Sequence, residues 1–132
     1  FYRNAQAESN AQPANQAVVS LCQTMNRRPD IHPSLLDAAK RCGMSKTAFT
    51  QTFRAVTGMS YVEYSKTVRI KHAMEILSAE DAGVLDVASR SGFNNVSYFH
   101  RAFKTYVQMT PLQFKRYVRD TGKIPKIITY EG

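Results

Sequence analysis

From about residue 16 onward, apolar residues recur at spacings of three and four, and no stretch alternates with period two. That pattern predicts an all-α chain. Val18, Leu21, Cys22 and Met25 share one face of a first helix near 16–27, which Pro29 ends. A second helix opens at Ser34, with Asp37 at capping-box spacing, turns Leu35, Leu36, Ala39 and Cys42 inward, and stops at Gly43. The third starts at Ser45 and ends before Gly58. The fourth starts at Ser60, with Glu63 three residues on, and runs to about Leu77 or Ser78. A turn through Glu80, Asp81 and Gly83 leads to a fifth helix near 84–91, stopped by Gly92. The sixth follows Asn95 and runs to about Val107. The seventh has Thr110 as cap, Pro111 at its first position and Gln113 completing the box.

These seven helices are organised by a repeat. Ala39, Gly43 and Met44 recur 49 positions on as Ala88, Gly92 and Phe93. Phe49, Phe53, Arg54, Met59, Ser60 and Tyr64 recur 50 positions on as Phe99, Phe103, Lys104, Met109, Thr110 and Phe114. The one-residue slip falls in a turn, where insertions are tolerated. Each copy is a short helix, a glycine turn and a helix with two Phe on its inner face, the pattern of a helix-turn-helix. The small residue that lets the helices cross closely is Ala39 or Ala88. The expected organisation is a linker or remnant of an upstream domain over 1–15, a first helix-turn-helix subdomain over 16–59 and a long linker helix over 60–78. A second helix-turn-helix subdomain follows over 79–120 and a tail over 121–132, where Ile124, Ile127, Ile128 and Tyr130 are available to dock on the body. Phe1 is not a natural start, which fits a fragment or a trimmed chain.

Charge gives the repeat a chemical meaning. Eighteen Lys and Arg against ten Asp and Glu leave a formal charge of +8, which favours a polyanionic partner. In helix three, Phe49, Phe53 and Val56 point inward, while Lys46, Thr47, Thr50, Gln51 and Arg54 share the outer face. In helix six, Phe99, Phe103 and Tyr106 point inward, and Val96, Ser97, His100, Arg101 and Lys104 outward. Neither outer face carries a carboxylate, and repulsion from phosphates is a physical reason for that. Arg101 can grip guanine through two hydrogen bonds, and Gln51 can do the same for adenine. Lys46, Thr47, Thr50, Val96, Ser97 and His100 are the other expected base contacts. Arg54 and Lys104, farther along each helix, suit phosphates, as do the helix starts at Ser60 and Thr110. The fourth helix, at roughly 27 Å for its residues, is compatible with successive major grooves about 34 Å apart on one DNA face.

Other classes fit less well. Cys22 and Cys42 sit at helical spacing among apolar residues and read as small core hydrophobes in a reducing compartment. His32, His72 and His100 are scattered, with no metal-ligand spacing, and no phosphate loop or nucleophile motif appears, so neither a metal, a cofactor nor an enzyme is expected. No apolar run has the length of a membrane span. The alternative is a helical protein-interaction module without specific DNA binding, using an acidic patch of Glu75, Glu80, Asp81 and Asp86.

The residues quoted above resemble the AraC/XylS family of bacterial transcription regulators. The resemblance rests on Val84-Leu85-Asp86-Val87-Ala88, Ser91-Gly92-Phe93, Ser97-Tyr98-Phe99, Arg101-Ala102-Phe103-Lys104 and Thr110-Pro111, with Phe114 and Arg116. The first unit matches more loosely, through Ala39, Gly43, Ser45, Phe49, Phe53, Arg54 and Gly58, and the fourth helix through Arg69 and Ala73. It covers about 20–119. It implies a seven-helix domain that binds double-stranded promoter DNA in the bacterial cytoplasm, at the nucleoid, and recruits or repositions RNA polymerase. It also implies an effector or dimerisation domain missing from this chain. One position departs from the family, which usually has Gly five residues after the Phe of helix six, where Gln108 stands here.

Overall fold

Local caps and buried rings, rather than helix propensity, set where the helices begin and which way they turn. The computed structural model describes residues 13–125, and these form α1 (Pro13–Arg27), α2 (Leu35–Arg41), α3 (Lys46–Thr57), α4 (Tyr61–Ala79), α5 (Val84–Arg90), α6 (Val96–Val107) and α7 (Pro111–Thr121). Among the described residues there is no strand, so the all-α expectation holds. Of the linker expected over 1–15, residues 1–12 lie outside the described residues, as does the docking of Ile127, Ile128 and Tyr130, while residues 13–15 are the first residues of α1 rather than linker. No helix among the described residues is long and apolar enough to cross a membrane.

The caps read from sequence form. Ser34, Ser45 and Asn95 each accept a hydrogen bond from the backbone N–H three residues on, at 3.2, 3.1 and 2.9 Å. Ser60 does the same for Glu63 at 3.2 Å. Thr110 and Gln113 close a reciprocal capping box, at 3.1 and 3.0 Å. Each such cap contributes about 1 kcal/mol, which matters most for α2 at seven residues; α5, equally short, starts at Gly83 without a side-chain cap. α1 starts at Pro13, earlier than apolar periodicity alone suggests, because proline is well suited to a helix's first turn.

The chain divides into two compact units, one through Ser65 and one from Lys66. In the first, α3 packs against α1 and α2. Val18, Cys22 and Met25 of α1 and Ala38 and Ala39 of α2 are buried with Phe49 and Phe53. Three corrections to the expected core follow from this packing, the first being that Leu35 is only half-buried. Leu36 is 53% exposed, because α2 turns its two alanines toward α3 and leaves Leu36 at the edge of that face. Cys42, just past the helix end, is only half-buried, and that burial raises its thiol pKa. Tyr61 and Tyr64 of α4 close the unit: Tyr61 donates to the Pro33 carbonyl, and Asn26 Nδ2 donates to Tyr64 at 3.0 Å. The second unit buries Ile70, Ala73, Ile76, Leu77, Val87, Phe93, Phe99, Phe103, Val107 and Phe114 in one cluster. Ile124 is 59% exposed and does not dock; Gly122 ends α7 before it.

The repeat is visible in the turns. Met44 and Phe93 donate backwards to the Ala39 and Ala88 carbonyls at 3.0 and 2.9 Å, the same six-to-one closure in both units. Four residues separate α2 from α3 and five separate α5 from α6, so the slip in the repeat is one extra residue before the Asn95 cap. At the Cys42 position the second unit has Ser91, whose fully buried hydroxyl has no hydrogen-bond partner among the described residues.

The departure at Gln108 is accommodated without changing the turn. Gln108 adopts the left-handed conformation (φ 68°) that Gly58 adopts in the first unit (φ 82°), and each amide closes its helix, onto Lys104 and Arg54 respectively. Gln108 Nε2 also donates to the Thr105 carbonyl at 2.8 Å. A side chain in this region is strained, and no atom lies near a Cβ built on Gly58, so conformation alone separates the two residues. Gly58→Ala is therefore expected to lower stability by about 1 kcal/mol, and Gln108→Gly to raise it by about 0.5–1 kcal/mol. Chemical denaturation of the two variants checks the opposite signs.

Candidate nucleic-acid interface

In each unit the outward face of one helix is decided by what its inward face must bury. On α3, Phe49 and Phe53 are fully buried one turn apart, with ring centroids 5.5 Å from each other. Phe53 meets Tyr64 edge-on at 5.4 Å. On α6, Phe99 and Phe103 are fully buried with centroids 5.7 Å apart, and Phe103 meets Phe114 edge-on at 5.6 Å. Tilted and edge-on rings at these distances are the preferred aromatic geometry. With that stripe turned in, the opposite stripe has to face solvent. At the inner ends of the helices, Thr57 is buried and bonds the Phe53 carbonyl at 2.8 Å, while Val56, expected inside, is half-buried.

Accordingly Lys46, Thr47, Thr50, Gln51 and Arg54 are all exposed on α3. Val96, Ser97, His100, Arg101 and Lys104 are all exposed on α6. Neither helix contains an Asp or Glu at any position. Within each helix the five residues therefore form one stripe; His100, Arg101 and Lys104, with Thr105 and Gln108, line a shallow open groove. Ser60 and Thr110 differ from the rest: they are half-buried, and their side-chain oxygens already accept from Glu63 and Gln113.

Two residues of this surface and one behind it were not legible as such from spacing. The Tyr98 ring lies one turn before Arg101, whose guanidinium carbon is 6.0 Å from its centroid, and Lys66 Nζ is 5.7 Å from the same ring. Tyr98 packs in turn on Phe93, at 5.9 Å between centroids. The ring thus lies between an exposed arginine and the buried cluster, a weak cation–π contact at this distance. The first unit has Ala48 at the matching position and Gln51 in place of the arginine, so nothing equivalent holds its polar group. Arg69 acts behind this surface: it donates to the Gly92 carbonyl at 3.2 Å and stacks over Phe93 at 4.6 Å, bracing the turn that leads into α6.

The acidic patch is internally matched. Arg90 pairs with Glu80 at 2.8 Å and Asp86 at 3.2 Å, and Lys115 pairs with Asp81 at 2.7 Å. Glu75 lies 3.5 Å from His72. The hydrogen bonds from Arg90 and Lys115 hold the Glu80 and Asp81 carboxyls below their ordinary pKa. These exposed pairs add little stability, and they engage Glu80, Asp81 and Asp86 within the second unit.

Tyr98→Leu is expected to leave the thermal midpoint within a few degrees, since the ring is only half-buried. The Arg101 side-chain proton resonances are expected to lose their ring-current shift and move toward random-coil values. Unchanged resonances would show that ring and guanidinium do not meet in solution.

Comparison with known proteins adds independent findings. A family model described as a helix-turn-helix domain matches residues 38–117. The HTH-type transcriptional activator RhaR of Enterobacter sp. (strain 638) is 39% identical over 71 residues, covering 54% of this chain and 25% of that protein. RhaR of Yersinia pseudotuberculosis serotype O:1b (strain IP 31758) is 30% identical over 86 residues, covering 64% of this chain and 30% of that protein. The chain thus spans about a third or less of the length of these curated relatives. Among solved structures, the DNA-binding domain of AdpA, determined in complex with a target DNA, superposes with a TM-score of 0.73 at 23% identity, over 83% of this chain and 96% of that one. An AraC-type regulator from Chromobacterium violaceum gives 0.69 at 21% identity, over 87% and 99%. At these identities the structural likeness is one of fold.

Proposed function

Because the chain belongs to the AraC-type helix-turn-helix family, we propose that it binds double-stranded promoter DNA sequence-specifically to regulate transcription, with α3 and α6 entering successive major grooves. The observation that carries this reading is the pair of exposed, carboxylate-free faces, each opposite the same buried ring pair. A solvated helix surface without such a partner normally carries both signs of charge. A face that meets phosphates and base edges excludes carboxylates, because each would sit in the strongly negative field of the duplex.

In this reading Arg101 binds guanine O6 and N7, pre-set by Tyr98, and Gln51 binds adenine. Lys46, Thr47, Thr50, Val96, Ser97 and His100 meet base edges and groove walls. Arg54 and Lys104 hold phosphates. Ser60 and Thr110 add contacts through their helix starts, secondary ones given that their oxygens already cap. The whole regulator extends beyond this chain, acts in the bacterial cytoplasm at the nucleoid, carries an effector or dimerisation domain and contacts RNA polymerase. Reading DNA, rather than catalysis, is the role assigned to this part. The partnering of the acidic residues gives no support to the alternative of a purely protein-binding module.

The test uses duplexes selected by this protein from a random pool. Affinity is expected to fall steeply with salt, by a log–log slope of about −0.9 per phosphate contacted. Arg101→Ala is expected to weaken the selected duplex by about 1–3 kcal/mol and to relax preference at one base pair, while Lys104→Ala weakens all duplexes alike and lowers the salt slope by about one. Equal effects of both variants on every sequence would overturn the assignment of roles.

A further inference from the structure

Thr47 and Thr50 are both exposed on α3, one turn apart on its outer face, yet their hydroxyls are in different states. Thr50 Oγ1 donates to the Lys46 carbonyl at 2.8 Å. A threonine hydroxyl has one proton, so this bond uses its whole donor capacity and draws the oxygen toward the preceding turn. It also holds χ1 in one of the few rotamers a β-branched side chain has in a helix, which fixes the γ-methyl in place before any ligand arrives. Thr47, by contrast, has no hydrogen-bond partner among the described residues, so its proton is available.

We infer that Thr50 is a specificity-determining residue that reads the C5 methyl of a thymine through its own γ-methyl, while Thr47 acts through its hydroxyl. The inference rests on the DNA reading above and deepens it. Thymine is singled out because it alone among the four bases places a methyl group in the major groove. A base whose recognition required a donor from Thr50 would first have to break the 2.8 Å bond to Lys46. The repeat agrees with this division. The counterpart of Thr47 in the second unit is Ser97, which keeps the hydroxyl and lacks the methyl. A hydroxyl is thus the feature the two copies share at that position. The counterpart of Thr50 is His100, so the methyl reader belongs to the first unit alone.

The two methyl groups can be removed separately. In a duplex selected by the wild-type protein, each thymine is replaced singly by deoxyuridine, which deletes only the base methyl. Thr50→Val keeps the side chain's shape and loses the hydroxyl; Thr50→Ser keeps the hydroxyl and loses the methyl. Both positions are exposed, and circular dichroism checks that the variants retain helix content. One uracil position is expected to weaken wild-type binding about three- to fivefold, the value of one buried methyl group. Thr50→Val should bind like wild type and show the same loss at that position. Thr50→Ser should bind the thymine duplex about three- to fivefold more weakly and be insensitive to uracil there. Weaker binding by Thr50→Val than by Thr50→Ser, or a uracil penalty independent of residue 50, would overturn the inference while leaving DNA binding intact. Failure of the wild type to prefer any duplex would overturn the DNA reading itself, and this inference with it.

Discussion

Phe49 and Phe53 on one helix, and Phe99 and Phe103 on another, sit a turn apart with no surface left exposed, and everything functional in the chain depends on those four rings. A ring pair on one stripe leaves a helix almost no freedom to rotate about its axis. Turning α3 by even one residue would expose a Phe and bury Lys46 or Gln51, losing several kcal/mol of aromatic burial and desolvating a polar group. The third ring in each unit, Tyr64 or Phe114, comes from the next helix and meets the second Phe edge-on at nearly the same distance, 5.4 and 5.6 Å. The polar stripe is thus oriented by the core rather than by any interaction of its own, which lets its residues vary without disturbing the fold.

That separation explains how two copies of one device differ. The turns before α3 and α6 close by the same backbone bonds, and the turns after them share a left-handed residue, Gly58 or Gln108. The faces between them share little. The second unit has an arginine whose guanidinium lies 6.0 Å from the centroid of Tyr98, a ring that itself packs on buried Phe93. The first has two threonines and, among the described residues, no ring beneath Gln51, and one of the threonines is held by a backbone hydrogen bond at Thr50.

Much of this was legible in the chain alone, for physical reasons that can be named. α6 was bounded at both ends because Asn95 is a strong cap and the inward Phe and Tyr spacing is unambiguous. The repeat survived translation into structure down to its one-residue slip. Leu36 and Ile124 were misjudged because periodicity gives a direction around a helix axis, and a short helix or a tail need not lie against anything. The conformation of Gln108 follows from the closure of the helix end, which outweighs the preference of one side chain. The ring beneath Arg101, the internal bond of Thr50 and the partnering of Arg90 with Glu80 and Asp86 were out of reach. They depend on rotamers, and spacing says only which groups are near enough to meet. The unpartnered hydroxyl of Ser91 is of the same kind: its sequence neighbours do not reveal that the turn buries it.

The most direct measurement is a residue-resolved NMR titration of the chain with a duplex selected from a random pool and with a scrambled duplex of equal length. The selected duplex is expected to perturb Lys46, Thr47, Thr50, Gln51, Val96, Ser97, His100 and Arg101 most strongly, with the scrambled duplex moving mainly Arg54 and Lys104. The inner rings of Phe49, Phe53, Phe99 and Phe103 should keep their shifts in both. Perturbation centred on the acidic segment around Glu80 and Asp86, with α3 and α6 unmoved, would contradict that expectation.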